Sequence, residues 1–120
     1  MQFEGCDPIG DNTPTIEISS KRKVWDIHNA GELLGICYKN KERILILFWD
    51  YYAEAKKISC RIKLSDVIFF ETKRRDPEIP FSEDDCLTEF TISGNIVTFK
   101  FWGGMEIQAK ATVFHFEVDE

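Results

Sequence analysis

Oily and watery side chains alternate along much of this chain, most plainly where Ile58, Cys60, Ile62 and Leu64 interleave with Lys57, Ser59, Arg61 and Lys63. A period of two puts one set on a core and the other in water, which predicts a half-buried β-strand. Upstream, residues 33–38 and the unbroken apolar run 44–49 flank Asn40-Lys41 and predict a hairpin. The second run is too short for a typical helix and rich in β-branched and aromatic side chains, so it reads as a central strand covered on both faces. Residues 87–93 and 96–102 flank Ser93-Gly94-Asn95, whose Gly and Asn readily take the positive φ of a tight hairpin. Val97, Phe99 and Phe101 point one way there, and Thr98 and Lys100 the other.

The last apolar stretch changes step. Met105, Ile107, Ala109 and Ala111 share one phase, whereas Phe114, Phe116 and Val118 take the opposite one. A β-bulge near Thr112-Val113 is expected, since one inserted residue restores an inward-facing set. Residues 15–19 predict a short first strand or an extended tether, and Val67-Ile68-Phe69-Phe70 a further strand or a turn that presses its aromatics onto the sheet. Gly5, Pro8, Gly10 and Pro14 mark residues 1–13 as an irregular arm. The proline-containing, charged stretch 73–85 reads as loop, with Ser82 and Asp85 spaced as an N-cap pair.

The expected fold is therefore all-β and mainly antiparallel, a β-sandwich or partly open barrel of six to eight strands with little helix. At 120 residues it is expected to be a single domain, and its 43% hydrophobic content supplies a core without disulfides. No apolar run spans a bilayer, and the first ten residues lack the basic start and oily stretch of a signal peptide, so no membrane association and a cytoplasmic location are expected. Cys6, Cys37, Cys60 and Cys86 form no CxxC and read as reduced thiols.

A net charge of −6 repels phosphate on average. The basic clusters Lys21-Arg22-Lys23, Lys56-Lys57 and Lys73-Arg74-Arg75 are short, so nucleic acid is not an expected partner. No metal site or cofactor is expected either. The charged loop lacks the oxygen-ligand spacing of a calcium site, and Gly103-Gly104 joins strands rather than opening a helix on a phosphate. No Ser or Cys sits in a Gly-flanked elbow, and the carboxylates of Glu83-Asp84-Asp85 and of Glu117, Asp119 and Glu120 fall in loop or tail. His115 falls on the polar phase of its strand. His28, within Trp25-Asp26-Ile27-His28-Asn29-Ala30, belongs to a turn or pocket in which Asp26 and Asn29 bond the imidazole or cap the chain entering the hairpin.

The remaining signal is aromatic. Trp102 is out of phase with Phe101, and Trp49, Tyr51 and Tyr52 gather where a strand ends, so these four are the candidate partner-binding residues. Ile27-His28-Asn29-Ala30, followed by Leu33, Gly35-Ile36, the strand 44–48 and Leu64-Ser65-Asp66-Val67, resembles a bacterial arrangement in which a hydrophobic-His-Asp-small turn precedes a hairpin. Here Asn29 stands where that pattern carries Asp. Small all-β proteins of this kind include uncharacterised families and predicted immunity proteins of toxin systems. The resemblance implies a role in occluding a toxin, with His28 and Asn29 fixing the turn. The expected function is thus a non-enzymatic protein-binding domain, an immunity protein being its particular form. The alternatives are an enzyme or small-ligand binder with a pocket near His28 and Trp25, and a structural protein that forms homo-oligomers through an edge strand.

Overall fold

A computed structural model of the protein describes residues 1–73, 75–80 and 86–120. The long alternating and apolar runs form a five-stranded sheet in the order β1 (Gln2–Glu4), β11 (Val113–Val118), β6 (Lys56–Ser65), β5 (Ile44–Ala53) and β4 (Gly31–Lys39). A four-stranded sheet runs β7 (Phe69–Lys73), β10 (Glu106–Lys110), β9 (Ile96–Phe101) and β8 (Leu87–Ser93). A separate hairpin pairs β2 (Glu17–Ser20) with β3 (Lys23–Asp26), and one helical turn, α1 (Ile27–Ala30), leads from it into β4. The fold is all-β, mainly antiparallel and sandwich-like. It closes no barrel, because the five-stranded sheet ends on β1 and β4, which do not pair.

Eleven strands are described, beyond the six to eight expected; the added ones are β1, β3 and the second half of the last apolar stretch. The arm expected to be irregular begins with a strand. Gln2 donates its backbone N–H to the Thr112 carbonyl at 2.8 Å, and the Phe3 ring lies 5.8 Å from Phe114, so β1 pairs with β11 in parallel. The β2–β3 turn uses Lys21 and Arg22, both at positive φ (52° and 64°), a conformation that non-glycine residues adopt at a steric cost. Ser20 and Gly5 tie this hairpin to the arm through a 2.6 Å hydrogen bond, and Ile18 and Trp25 face the core.

The expected bulge near Thr112-Val113 is instead a change of sheet. Ala111 donates to the Asn95 carbonyl of the β8–β9 turn at 2.9 Å, and the next residue, Thr112, donates to the Ser65 carbonyl at the end of β6 at 3.1 Å. Within two residues the chain leaves the smaller sheet and enters the larger. Ile107 and Ala109 point into the core from one layer, Phe114 and Phe116 from the other, and the phase must reverse between them. Bulges do occur, at Leu33/Gly35 in β4 and at Leu87/Glu89 in β8.

The strand expected at residues 58–64 keeps its alternation, with Cys60, Ile62 and Leu64 buried. The β8–β9 hairpin turns through Gly94 at φ +60°, and Val97, Phe99 and Phe101 are all core residues. Of the two forms open to residues 67–70, a strand begins at Phe69, while Val67 is buried just before it. Residues 75–80 carry no strand, and the Ser82–Asp85 cap falls outside the described residues.

The layers meet on aromatic rings: Phe90 of β8 lies 5.6 Å from Phe99 and 5.7 Å from Phe114, the latter stacked across the sheet boundary. One strand shows how the layers are disposed. His28, just ahead of β4, bonds the Leu87 carbonyl at the start of β8, while Tyr38, near the end of β4, packs its ring 4.5 Å from Phe70 of β7. β8 and β7 are opposite edges of the smaller sheet, so β4 runs across that sheet's strands rather than along them. No helix among the described residues is long and apolar enough to cross a membrane.

Candidate functional site

Trp102 follows immediately on β9, where the alternation of Val97, Phe99 and Phe101 ends and the chain turns back toward β10. The turn is held by its backbone. Gly104 donates to the Phe101 carbonyl at 3.0 Å and Phe101 to the Met105 carbonyl at 3.0 Å. Trp102 itself donates to the Cys86 carbonyl, and Asp76 to the Gly103 carbonyl, both at 2.9 Å. Gly104 sits at φ +87°, which strains any other residue, and a Cβ there would also crowd the Asp76 nitrogen at 3.2 Å. On this fixed turn the Trp102 side chain is 56% exposed.

The other three candidate rings divide by phase. Trp49 is 0% exposed and Tyr51 is buried, because both share the inward phase of Leu45 and Leu47 in β5. They are core residues and cannot meet a partner on the folded surface, which corrects the expectation for both. The Tyr51 hydroxyl accepts the Asp26 backbone N–H at 3.1 Å, and its ring packs edge-on against Trp25 at 5.0 Å. Tyr52 takes the outward phase, is 49% exposed, and donates its hydroxyl to Glu32 at 2.9 Å.

Around α1, Asp26 is the N-cap: one carboxylate oxygen accepts the Asn29 backbone N–H at 2.9 Å and the other the Asn29 side-chain amide at 2.7 Å. The His28 Nδ1 lies 2.6 Å from the Leu87 carbonyl, so as the donor it ties α1 to β8. Trp25 is a core residue, and two concavities that it lines, of about 300 and 310 Å³, do not include His28. A shared His28–Trp25 pocket is therefore not formed by these surfaces. The thiol of Cys86 approaches the His28 carbonyl at 3.9 Å, and Cys37 is exposed on β4.

Sequence reasoning missed the polar surface above β6 and β11. Arg61 grips Asp119 with two nitrogens, each at 3.0 Å, and Glu117 through Nε at 2.6 Å, while Lys63 reaches Glu117 at 3.1 Å. His115 lies 3.5 Å from Glu4 and 3.6 Å from Glu117, half-buried rather than fully exposed. Part of the signal was present, since Arg61, Lys63 and His115 occupy polar phases; Glu117, expected in loop or tail, instead lies within β11, and the adjacency of all four depends on the β6–β11 register. Arg61, His115, Glu117 and Asp119, with Ser20, line a cleft of about 300 Å³.

The electrostatics of this cleft are those of an ion-pair network. Burial pushes the Glu117 carboxyl up, but hydrogen bonds from Lys63 and Arg61 and their positive charges together outweigh it and hold the group below its usual range. The Arg61 hydrogen bond likewise lowers Asp119. Both acids are ionised at neutral pH, so neither supplies the proton that glycoside acid–base chemistry needs. Glu83-Asp84-Asp85 lies outside the described residues. Burial, with Asp7, raises the Cys6 thiol to about 11, and burial, with Asp50 and Asp119 and against Arg61, raises Cys60 to about 12, so both stay protonated and poorly nucleophilic. Among the described residues no group of three His, Cys, Asp or Glu is placed to hold a metal ion.

This network has a pH signature. Lowered carboxylates contribute stability that is complete above their unfolded-state values, near 4, and is lost as pH falls through the folded values. Arg61→Met should therefore cost about 1 kcal/mol at pH 7, a modest figure for a partly exposed network, with the gap to wild type closing below about pH 4. Denaturant titrations of both proteins from pH 7 to pH 2 check this, and a gap that widens in acid would contradict it.

No family model matches the chain, and neither the curated proteins nor the solved structures contain a match to it.

Proposed function

We propose that this chain is a non-enzymatic protein-binding domain that uses Trp102 as an anchor, and that it acts in the cytoplasm as an immunity protein, occluding the working surface of a toxin. The observation that carries this reading is the half-exposed indole on a turn held by four backbone hydrogen bonds. A large aromatic ring carried on a backbone already held in place brings contact area to an interface, with only its two side-chain torsions left to order on binding. Tryptophan is also among the residues most often found to dominate binding energy. The net charge of −6 favours a basic partner and speeds the encounter with it. The resemblance around Ile27-His28-Asn29-Ala30 supports the immunity form of the reading.

Tagged wild-type and Trp102→Ala baits, compared by quantitative capture from extracts of the source cells, test the proposal. The wild-type bait is expected to retain a basic protein whose affinity falls about thirtyfold or more for the variant, as for a residue worth about 2 kcal/mol or more. The melting temperatures of the two baits should agree to within a few degrees. A partner held equally by both baits would overturn the role of Trp102, and a large fall in stability would place the ring in the core.

A further inference from the structure

β4 is the last strand of the five-stranded sheet, and among the described residues no strand pairs with its outer edge. Leu34 and Ile36 are 59% and 40% exposed there, and Cys37 and Lys39 are exposed beside them. An open edge with apolar side chains is a template for another strand.

The register against β5 gives this edge an internal symmetry. Ile36 stands opposite Leu47; Gly35 and Cys37 stand opposite the flanking Phe48 and Ile46. Leu33 and Tyr38 come next, opposite Trp49 and Leu45, and then Glu32 and Lys39, opposite Asp50 and Ile44. Each pair is thus equally spaced about Ile36. Directly opposed residues share a face of the sheet, so Glu32, Gly35, Cys37 and Lys39 lie on the outer face, and Leu33, Ile36 and Tyr38 on the inner. The bulge at Leu33/Gly35 creates this match, since in a regular strand Glu32 and Lys39 would fall on opposite faces.

We propose that two copies of this chain pair antiparallel along β4, about a two-fold axis through Ile36, and join their larger sheets into one. In that register Glu32 of each copy faces Lys39 of the other, an opposite-charge pair formed twice. Leu33 faces Tyr38, and the two Ile36 side chains meet at the axis. Cys37 faces Gly35, where an added side chain meets nothing within 4 Å. The Tyr52 hydroxyl already bonds one Glu32 oxygen and so orients the carboxylate. The net charge of −6 opposes association, but at physiological salt, charges separated by more than about 8 Å are largely screened, so pairs in contact decide the register. A slip of one place sets inner residues against outer ones, and a slip of two separates Glu32 from Lys39. This inference is independent of Trp102 and of the identity of any toxin.

Sedimentation equilibrium over a range of protein concentrations tests it. The wild-type mass should rise from 14.0 kDa toward twice that value. Lys39→Glu, which sets like charges across the ladder, should raise the dimer Kd about tenfold or more, and the exchange Glu32→Lys with Lys39→Glu should restore it to within about threefold. Ile36→Lys, which places two ammonium groups on the axis, should leave only monomer. A wild-type chain that stays monomeric up to about 1 mM, near the weakest association of interest, would overturn the proposal. So would unchanged dimerisation of Lys39→Glu, or failure of the charge exchange in a protein of wild-type melting temperature. If the exchanged protein melts early, Ile36→Lys decides, and a dimer that survives it overturns the proposal.

Discussion

Phe90→Ala is expected to lower the stability of this protein by about 3–5 kcal/mol, the range for a large aromatic removed from a packed core. Phe90 is fully buried and touches rings of both layers, Phe99 in its own sheet and Phe114 in the other. Its removal opens a void between the sheets that neither layer can close without breaking its own ladder. The same residue exchanges two backbone hydrogen bonds with Thr15, at 2.8 and 2.9 Å, which fasten the segment before β2 to the edge of β8. Those bonds survive the substitution, so the loss reports ring packing. Urea or guanidinium titration of the variant measures it, and a cost below about 1 kcal/mol, typical of a surface change, would show that Phe90 is not the contact between the layers.

Trp49→Ala is expected to cost a similar amount, about 3–5 kcal/mol, whereas Trp102→Ala should fall within about 0.5 kcal/mol of wild type. The contrast follows from exposures of 0% and 56%. The Trp49 indole N–H is also buried, and among the described residues it has no hydrogen-bond partner, so Trp49→Phe should be much milder than Trp49→Ala because it removes an unmet donor along with part of the ring. Thermal or chemical denaturation of the three variants separates these outcomes. Equal costs for Trp49→Ala and Trp102→Ala would undo the division between core and surface rings.

Sequence periodicity carried the architecture furthest where one face of a strand meets water. Lys57 to Leu64 is such a case: its charged phase makes the buried phase unambiguous, and the structure keeps it. Periodicity failed in β5, where both phases are apolar. Nothing in Ile44 to Trp49 alone says which rings turn inward, and only pairing with β6 assigns Trp49 and Tyr51 to the core and Tyr52 to the surface. The phase slip near Thr112 was visible for the same reason that its cause was not. Alternation reports which face of a strand is buried but not which sheet the strand joins, and a bulge and a crossing leave the same trace.

Two further features lay beyond reach because they depend on distant partners. β1 was hidden among glycines and prolines, since three residues paired in parallel with the end of the chain leave no local signature. The β2–β3 turn was hidden by its residue types, as Lys21-Arg22 lacks the Gly or Asn that announces two consecutive left-handed positions. The candidate site divides in the same way. The exposure of Trp102 was legible because it broke step with Phe101 at a strand end. The Arg61 network was not, because the spacing of 56 residues from Arg61 to Glu117 is closed only by the β6–β11 ladder.

The three tryptophans supply the most direct test. In a ¹⁵N-resolved spectrum each indole N–H gives one signal, and solvent exchange can be measured for each before and after addition of the captured partner. Trp25 and Trp49 are expected to be protected throughout, while Trp102 exchanges readily in the free protein and is shifted and protected in the complex. A Trp102 signal already protected in the free protein, or one left unmoved by the partner, would contradict this expectation.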